Sequence, residues 1–356
     1  MRGMELCEAF YLECVAPILA QNFPSLAYSA GLLGDGSDVL GYDDAVSRDH
    51  DWGPRLFVFP KDCTDDLTSV LQSALKKSLP RAFRGFSVGF GAPDARGVAA
   101  MSDDEDEFRP RVRIMKLRDF FLGQIGRPSV DGITAAEWLA LSEQRLLTFT
   151  RGRLFRDDLG LALEFQKLAA YPEDVWLYLL YSDWSAISEE RAFVKRTAAR
   201  GDDLGSRVIA ARIAHRLMHL AFLYEKRFAP YAKWFGTAFQ ELSAYSALEP
   251  MLARALHAND KEERELAIAR AQAIMIEIHN ETGLTPPVDP SIHPYFTRDI
   301  KVVSSDAVAD ALNGLIADEA LKSLPPIGTL SAVGNLTALC EHAEYLPRLR
   351  VLYETL

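Results

Sequence analysis

Two aspartates separated by one residue, Asp49-His50-Asp51, follow a glycine-serine pair, Gly36-Ser37, and precede the apolar run Leu56-Phe57-Val58-Phe59. The run has the β-branched and aromatic character of a buried strand, which places the aspartates at or just before its start. In an extended segment alternate side chains share a face, so Asp49 and Asp51 are expected to point together and His50 away. Paired carboxylates suit a hard divalent cation such as magnesium, which takes oxygen ligands and keeps positions for substrate phosphates. The Gly36-Ser37 turn offers backbone N–H groups and a hydroxyl to a phosphate beside that metal. The spacing predicts a metal-and-phosphate site, with Asp49 and Asp51 as ligands and Gly36 and Ser37 as phosphate contacts. Asp-x-Asp alone is common, and an acidic surface loop is the plain alternative.

The order strand, Gly-Ser, short segment, Asp-x-Asp, strand resembles the nucleotidyltransferase superfamily that includes DNA polymerase beta and the kanamycin-type drug nucleotidyltransferases. Leu26 to Leu33 supplies the first strand. Over nearly the whole chain, the segments GSDVLGYDD, DHDWGPR, YPEDVWLYLL, GDDLGSRVIAAR and APYAKWFGTAF resemble an uncharacterised bacterial family, domain of unknown function 4037, considered nucleotidyltransferase-like. The resemblance implies magnesium-dependent transfer of a nucleoside monophosphate from a nucleoside triphosphate, with ATP the expected donor. The acceptor is a hydroxyl of a small molecule, a protein or an RNA. It also implies a third carboxylate on a later strand, yet the matching strand carries Arg113, and Glu107 and Asp119 lie too near its ends to assign. One metal, a donor from elsewhere, or a site that binds nucleotide without turnover all fit this departure. The alternative function is therefore a non-catalytic nucleotide-binding regulator, or a toxin–antitoxin partner, with an incomplete metal site.

A second group lies at a helix junction, Glu225-Lys226-Arg227-Phe228-Ala229-Pro230-Tyr231-Ala232-Lys233-Trp234. The drug nucleotidyltransferases use their helical domain for acceptor activation. By that resemblance Glu225 is the expected general base, while Lys226, Arg227 and Lys233 steady the triphosphate and Tyr231 or Trp234 stacks on a ring. A solvated helix end with aromatic packing is the competing reading. His215 and His219, four apart, share a helix face with Arg212 and Arg216. The glutamate that would follow the first histidine of a zinc signature is replaced by Arg216, so a polar face is the better reading than zinc.

These residues need a frame. Helical spacing predicts a helix over 4–20 and another over Asp65 to Ser78, while Phe86 to Phe90 and Val112 to Leu117 have strand character. From about residue 131 helical patterns dominate, over roughly 135–149, 172–187, 188–200, 203–228, 231–244, 261–281 and 304–318. Thr134 to Glu137 carries a capping box, and Asp202 to Gly205 caps the helix after it. The predicted fold is α+β, with an N-terminal nucleotidyltransferase-like mixed-sheet domain at 1–130 and a C-terminal helical bundle at 131–356.

The chain's 356 residues can bury a large core, and its 49% hydrophobic and 25% charged residues are ordinary for a folded protein. A net charge of −11 disfavours a long nucleic acid as partner, because phosphate neutralisation needs broad positive potential. The four cysteines, Cys7, Cys14, Cys63 and Cys340, have neither metal-finger nor disulfide spacing. No signal peptide or bilayer-spanning run is evident, so the expected location is the cytoplasm with no membrane partner. The acidic run at 102–107 reads as a solvated loop.

Overall fold

The computed structural model describes residues 1–48, 50–94, 98–103, 108–329 and 343–354. It divides into two compact units, the first formed by Met1–Ile133, Gln144–Ala169 and Cys340–Leu346, the second by Thr134–Glu143, Ala170–Leu339 and Pro347–Leu356. Among the described residues no helix is long and apolar enough to cross a membrane.

The first unit opens with α1 (Gly3–Phe10), a π turn (Tyr11–Val15) and α2 (Ala16–Asn22). There follow β1 (Tyr28–Leu32), α3 (Ser37–Leu40), β2 (Arg55–Pro60), α4 (Asp65–Ser78), the short pair β3 (Ala82–Phe83) and β4 (Phe86–Ser87), β5 (Arg111–Ile114) and α5 (Leu117–Ile125). After α6 (Ala135–Ala140), which belongs to the second unit, come α7 (Glu143–Arg151), β6 (Arg153–Asp157) and α8 (Leu161–Gln166). The sheet is mixed, in the order β5-β2-β1-β6; β1 is antiparallel to β2 and β6, and β2 is parallel to β5.

Strand β2 is buried along its whole length because both faces of the sheet are covered. Leu56 and Val58 face a core shared with Leu6 and Phe10 of α1 and Leu71 and Leu75 of α4. On the other face Phe57 and Phe59 each meet the Phe120 ring at 5.2 Å, and Phe120 in turn packs on Phe149 of α7. Thr64 caps α4, accepting from the Leu67 amide at 3.2 Å, with acids in the first turn and lysines in the last, as the helix dipole favours. Gly31 lets β6 approach, since a Cβ there would lie 2.3 Å from the Arg153 carbonyl oxygen.

The second unit is largely helical: α6 and then α9 (Glu173–Glu190), α10 (Phe193–Ala198), α11 (Asp203–Tyr224), α12 (Ala232–Phe239), α13 (Tyr245–His257) and α14 (Lys261–Thr282). A hairpin of β7 (His293–Tyr295) and β8 (Arg298–Val302) precedes α15 (Ser305–Leu315) and α16 (Glu319–Ser323). Helix α9 packs on α11 and α15, and α14 packs on α11 and α13. Buried polar contacts tie the helices together, such as Trp176 Nε1 donating to the Leu223 carbonyl at 2.6 Å.

Local signals read from the sequence hold where a cap is present. Thr134 and Glu137 form the capping box, and Asp202 accepts from the Gly205 amide at 2.8 Å. Elsewhere boundaries move. The helix expected over 135–149 is broken between α6 and α7, the one over 231–244 stops at Phe239, and the strand expected to reach Leu117 stops at Ile114.

Candidate functional site

The corner of the first unit where β1 turns into α3 is built on a buried ion pair. Arg55, at the head of β2, sends Nη2 to Asp38 Oδ1 at 2.7 Å and to the Asp35 carbonyl at 2.8 Å. The Arg55 and Asp38 side chains are both buried. Gly36 has φ 136°, and a Cβ there would lie 2.3 Å from both Arg55 Nη2 and Asp38 Oδ1. The glycine of the Gly-Ser turn thus makes room for the pair. Burial lifts the Asp38 carboxyl above its ordinary range, against the pull of Arg55. Burial opposes the Arg55 charge too, but Asp38 offsets it.

Ser37 donates its hydroxyl to the Ser47 carbonyl at 2.6 Å, closing the loop that follows α3. In that loop Asp43 is buried, and its Oδ2 accepts from the Gly3 amide at 2.6 Å and from Trp52 Nε1 at 3.0 Å. Asp43 therefore satisfies the first amide of α1. Asp38 Oδ2 and Asp43 Oδ1 have no hydrogen-bond partner among the described residues. Both residues line an open cleft of about 620 Å³ whose rim carries Arg2, Arg151 and Arg153.

Asp51 sits in a bend ahead of the strand, at φ 48°, with its amide donating to the Ala99 carbonyl at 2.9 Å. The strand itself starts at Arg55, after Gly53 at φ 129° and Pro54. The alternation expected of an extended segment does not reach Asp51 for this reason. Asp49 lies outside the described residues, as does Glu107. Arg111 of β5 pairs with Asp51 Oδ1, and His50 Nδ1 is 3.5 Å from Oδ2. Among the described residues no three His, Cys, Asp or Glu side chains come together to hold a metal ion.

Three guanidinium groups lie along the paired strands β2 and β5. The parallel register sets Arg55 beside Arg111 and Phe57 beside Arg113, so these four side chains share one face. Arg113 is exposed at the sheet edge, 5.6 Å above the Phe57 ring, and has no ion pair among the described residues. Lost hydration beside its neighbours, then the positive charges of Arg111 and Arg55, push its pKa down to about 10. Asp35 is exposed, and its carboxylate is held by Arg145 at 3.1 Å.

The remaining expected site residues belong to the second unit. Glu225 is the C-cap of α11, and its Oε1 accepts from the amide of Ser243 at 2.6 Å and from its hydroxyl at 2.7 Å. Lys226 adopts φ 50°, and the Arg227 amide reaches back to the Phe222 carbonyl at 2.9 Å, the pattern of a left-handed helix stop with lysine in the usual glycine place. Its Nζ lies 4.1 Å over the Trp176 ring and 3.2 Å from Glu173. Tyr231 is the N-cap residue of α12, and Lys233 is exposed with its Nζ 4.9 Å from the Trp234 ring. Lys226 and Glu225 thus have local tasks at the end of α11.

A buried charged series in this unit is one that the sequence shows only in fragments. His219 of α11 stands between Asp183 Oδ2, at 2.5 Å from Nδ1, and both Glu143 oxygens, at 3.2 Å from Nε2. Arg216 Nη1 holds the other Asp183 oxygen at 2.8 Å, and the Tyr171 hydroxyl donates to Glu143 at 3.2 Å. Burial alone would lower the His219 pKa, but Glu143 and Asp183 outweigh it and hold the imidazole well above its ordinary value. His215 instead stacks on Phe235 at 4.5 Å and is pushed down by burial. The two histidines therefore face different partners.

No curated protein matches the chain. Among solved structures it is similar to a nucleotidyltransferase-like protein from Exiguobacterium sibiricum 255-15, with 11% identity, 78% of each chain covered and a TM-score of 0.32. Residues 138–235, which contain Glu143, Asp183, Arg216 and His219, match the family described as domain of unknown function (DUF4037).

Proposed function

We propose that the first unit binds the triphosphate of a nucleoside triphosphate, ATP being the expected donor, beside the Gly36-Ser37 turn. The chain then transfers the nucleoside monophosphate to an acceptor hydroxyl. The observation that supports this most is the set Arg55, Arg111 and Arg113 on one face of the paired strands β2 and β5. An arginine stays charged at any working pH, and at Arg113 lost hydration and then the positive charges of Arg111 and Arg55 oppose that charge, which a bound anion would relieve. A guanidinium fork matches the geometry of a phosphate as it does that of a carboxylate. Asp49 and Asp51 are the ligands magnesium would use, whereas neutralisation of the triphosphate by arginine needs neither. In the same proposal Glu225 takes the acceptor proton, and Lys226, Lys233 and Tyr231 contact the nucleotide.

A second reading, nucleotide binding without transfer, is favoured by one observation. Arg111 neutralises Asp51, and Arg113 stands on the strand where the resemblance implies a third acid. Calorimetric titration with the four ribonucleoside triphosphates and with AMP, with and without magnesium, tests binding, and pyrophosphate release tests transfer. Triphosphates should bind more tightly than AMP. Binding with no pyrophosphate release across acceptors selects the second reading, and no binding of any triphosphate sinks both.

A further inference from the structure

The second unit contains a pocket of about 320 Å³ whose wall carries both signs of charge beside apolar surface. Glu190, at the end of α9, has Oε1 2.5 Å from Arg212 Nη2, while its Oε2 is buried without a hydrogen-bond partner among the described residues. The hydroxyl of Tyr353 is likewise buried and without a partner among the described residues, on a residue only 4% exposed. Pro326 and Ile327 supply apolar wall.

Arg216, also in the wall, is no loose surface cation. Its Nη1 is anchored by buried Asp183, which His219 and then Glu143 hold in turn. That buried series of alternating charge orients the guanidinium before any ligand arrives. Unmet polar atoms in a buried wall are uncommon in folded chains, and a bound molecule is one way they are satisfied.

We propose that this pocket binds a zwitterion of amino-acid size. Its carboxylate meets Arg216 and Arg212, its ammonium meets Glu190 Oε2, and its side chain lies on Pro326 and Ile327, with the Tyr353 hydroxyl as a further polar contact. The charges select the class. A plain anion would face Glu189 and Glu190, and a plain cation would face two arginines, whereas one molecule carrying both charges satisfies each set. The volume lies at the small end of ligand pockets, which run to about 300–1,000 Å³, and leaves a nucleoside triphosphate short of room.

The test is thermal shift and calorimetry on the full chain with the proteinogenic amino acids at millimolar concentration. Leucine is also compared with its two single-charge analogues, 4-methylpentanoate and isopentylamine. At least one apolar amino acid should stabilise the protein, and both single-charge analogues should bind more weakly than leucine. Glu190→Gln should weaken the amino acid about tenfold or more, as loss of a charged hydrogen-bond partner does, and Tyr353→Phe less. No stabilisation by any amino acid, either analogue binding as well as leucine, or affinity unchanged in Glu190→Gln would each overturn the proposal. The analogue comparison uses wild-type protein, so it stands even if a variant fails to fold.

Discussion

Arg55 and Asp38 form an ion pair, 2.7 Å from Nη2 to Oδ1, with side chains only 6% and 0% exposed. Gly36 is packed against that pair with no space for a methyl group. The glycine of the turn therefore serves the fold before it serves any ligand. Gly36→Ala should break the pair and strain a backbone at φ 136°. Removing one partner of a buried pair costs about 3–5 kcal/mol, and a loss of that order is expected in urea unfolding. Asp38→Asn should cost a similar amount and should not add to it. Fully additive losses would show that Gly36 and the ion pair are independent.

Arg113 differs from its neighbours because it is exposed and has no ion pair among the described residues. Arg113→Ala should therefore leave stability within about 0.5 kcal/mol, as expected of a surface change. Under the proposed function the same variant should lose triphosphate affinity. A hydrogen bond to a charged group is worth about 1.5–3 kcal/mol, or roughly tenfold to a hundredfold in Kd. AMP binding should change less. Calorimetry with ATP and AMP checks both, and equal losses for the two ligands would remove Arg113 from the outer phosphates.

What the sequence shows follows from the range of each signal. Thr64, Thr134 and Asp202 sit three residues from the amides they accept, so the helices they start are legible in short windows. β2 is legible because four consecutive apolar residues have no other home. β6 is not, since Arg-Leu-Phe-Arg-Asp is mostly polar and its place is set by the close approach at Gly31, far away in sequence. The same limit governs the sites. The buried roles of Asp38 and Asp43 depend on Arg55, Gly3 and Trp52, and nothing in an acidic loop announces them. His215 and His219 are visible as a spaced pair, but their partners Asp183, Glu143 and Phe235 come from other helices.

The Asp183–His219–Glu143 series makes the stability of the second unit depend on pH in a stated direction. His219 is held above its ordinary value of 6.5 when folded, burial working against the charge and the two carboxylates outweighing it. Its contribution is fully present below pH 6.5 and is lost as pH rises through the folded value. Asp183 has its pKa lowered from 3.8, burial opposing and His219 and Arg216 prevailing, so its contribution is present above 3.8 and lost as pH falls through the folded value. These two groups together favour the interval between 3.8 and 6.5. Thermal unfolding should show stability declining on the alkaline side. His219→Gln should remove that decline and cost about 3–5 kcal/mol, because it takes away the cation between the two buried carboxylates and leaves Asp183 with Arg216 alone. A variant with the same alkaline slope as wild type would assign the slope to another group.

Glu225 carries two competing roles that one pair of substitutions separates. Its Oε1 accepts from both the amide and the hydroxyl of Ser243, and Oε2 lies 3.9 Å from Arg227, which ties the end of α11 to the turn before α13. The proposed role as general base needs a carboxylate, whereas the role of joining α11 to Ser243 needs only an acceptor oxygen. Glu225→Ala should therefore cost about 1–3 kcal/mol in chemical unfolding, since the Ser243 donors lose a charged partner. Glu225→Gln keeps one acceptor and should recover most of that loss. Once an acceptor supports pyrophosphate release, the same Gln variant decides the chemistry. A general base contributes about 100- to 10,000-fold, so a base at Glu225 predicts a collapse of turnover with ATP affinity unchanged. Turnover that survives in Glu225→Gln, together with stability lost in Glu225→Ala, would leave Glu225 as a residue that shapes the helix end and nothing more.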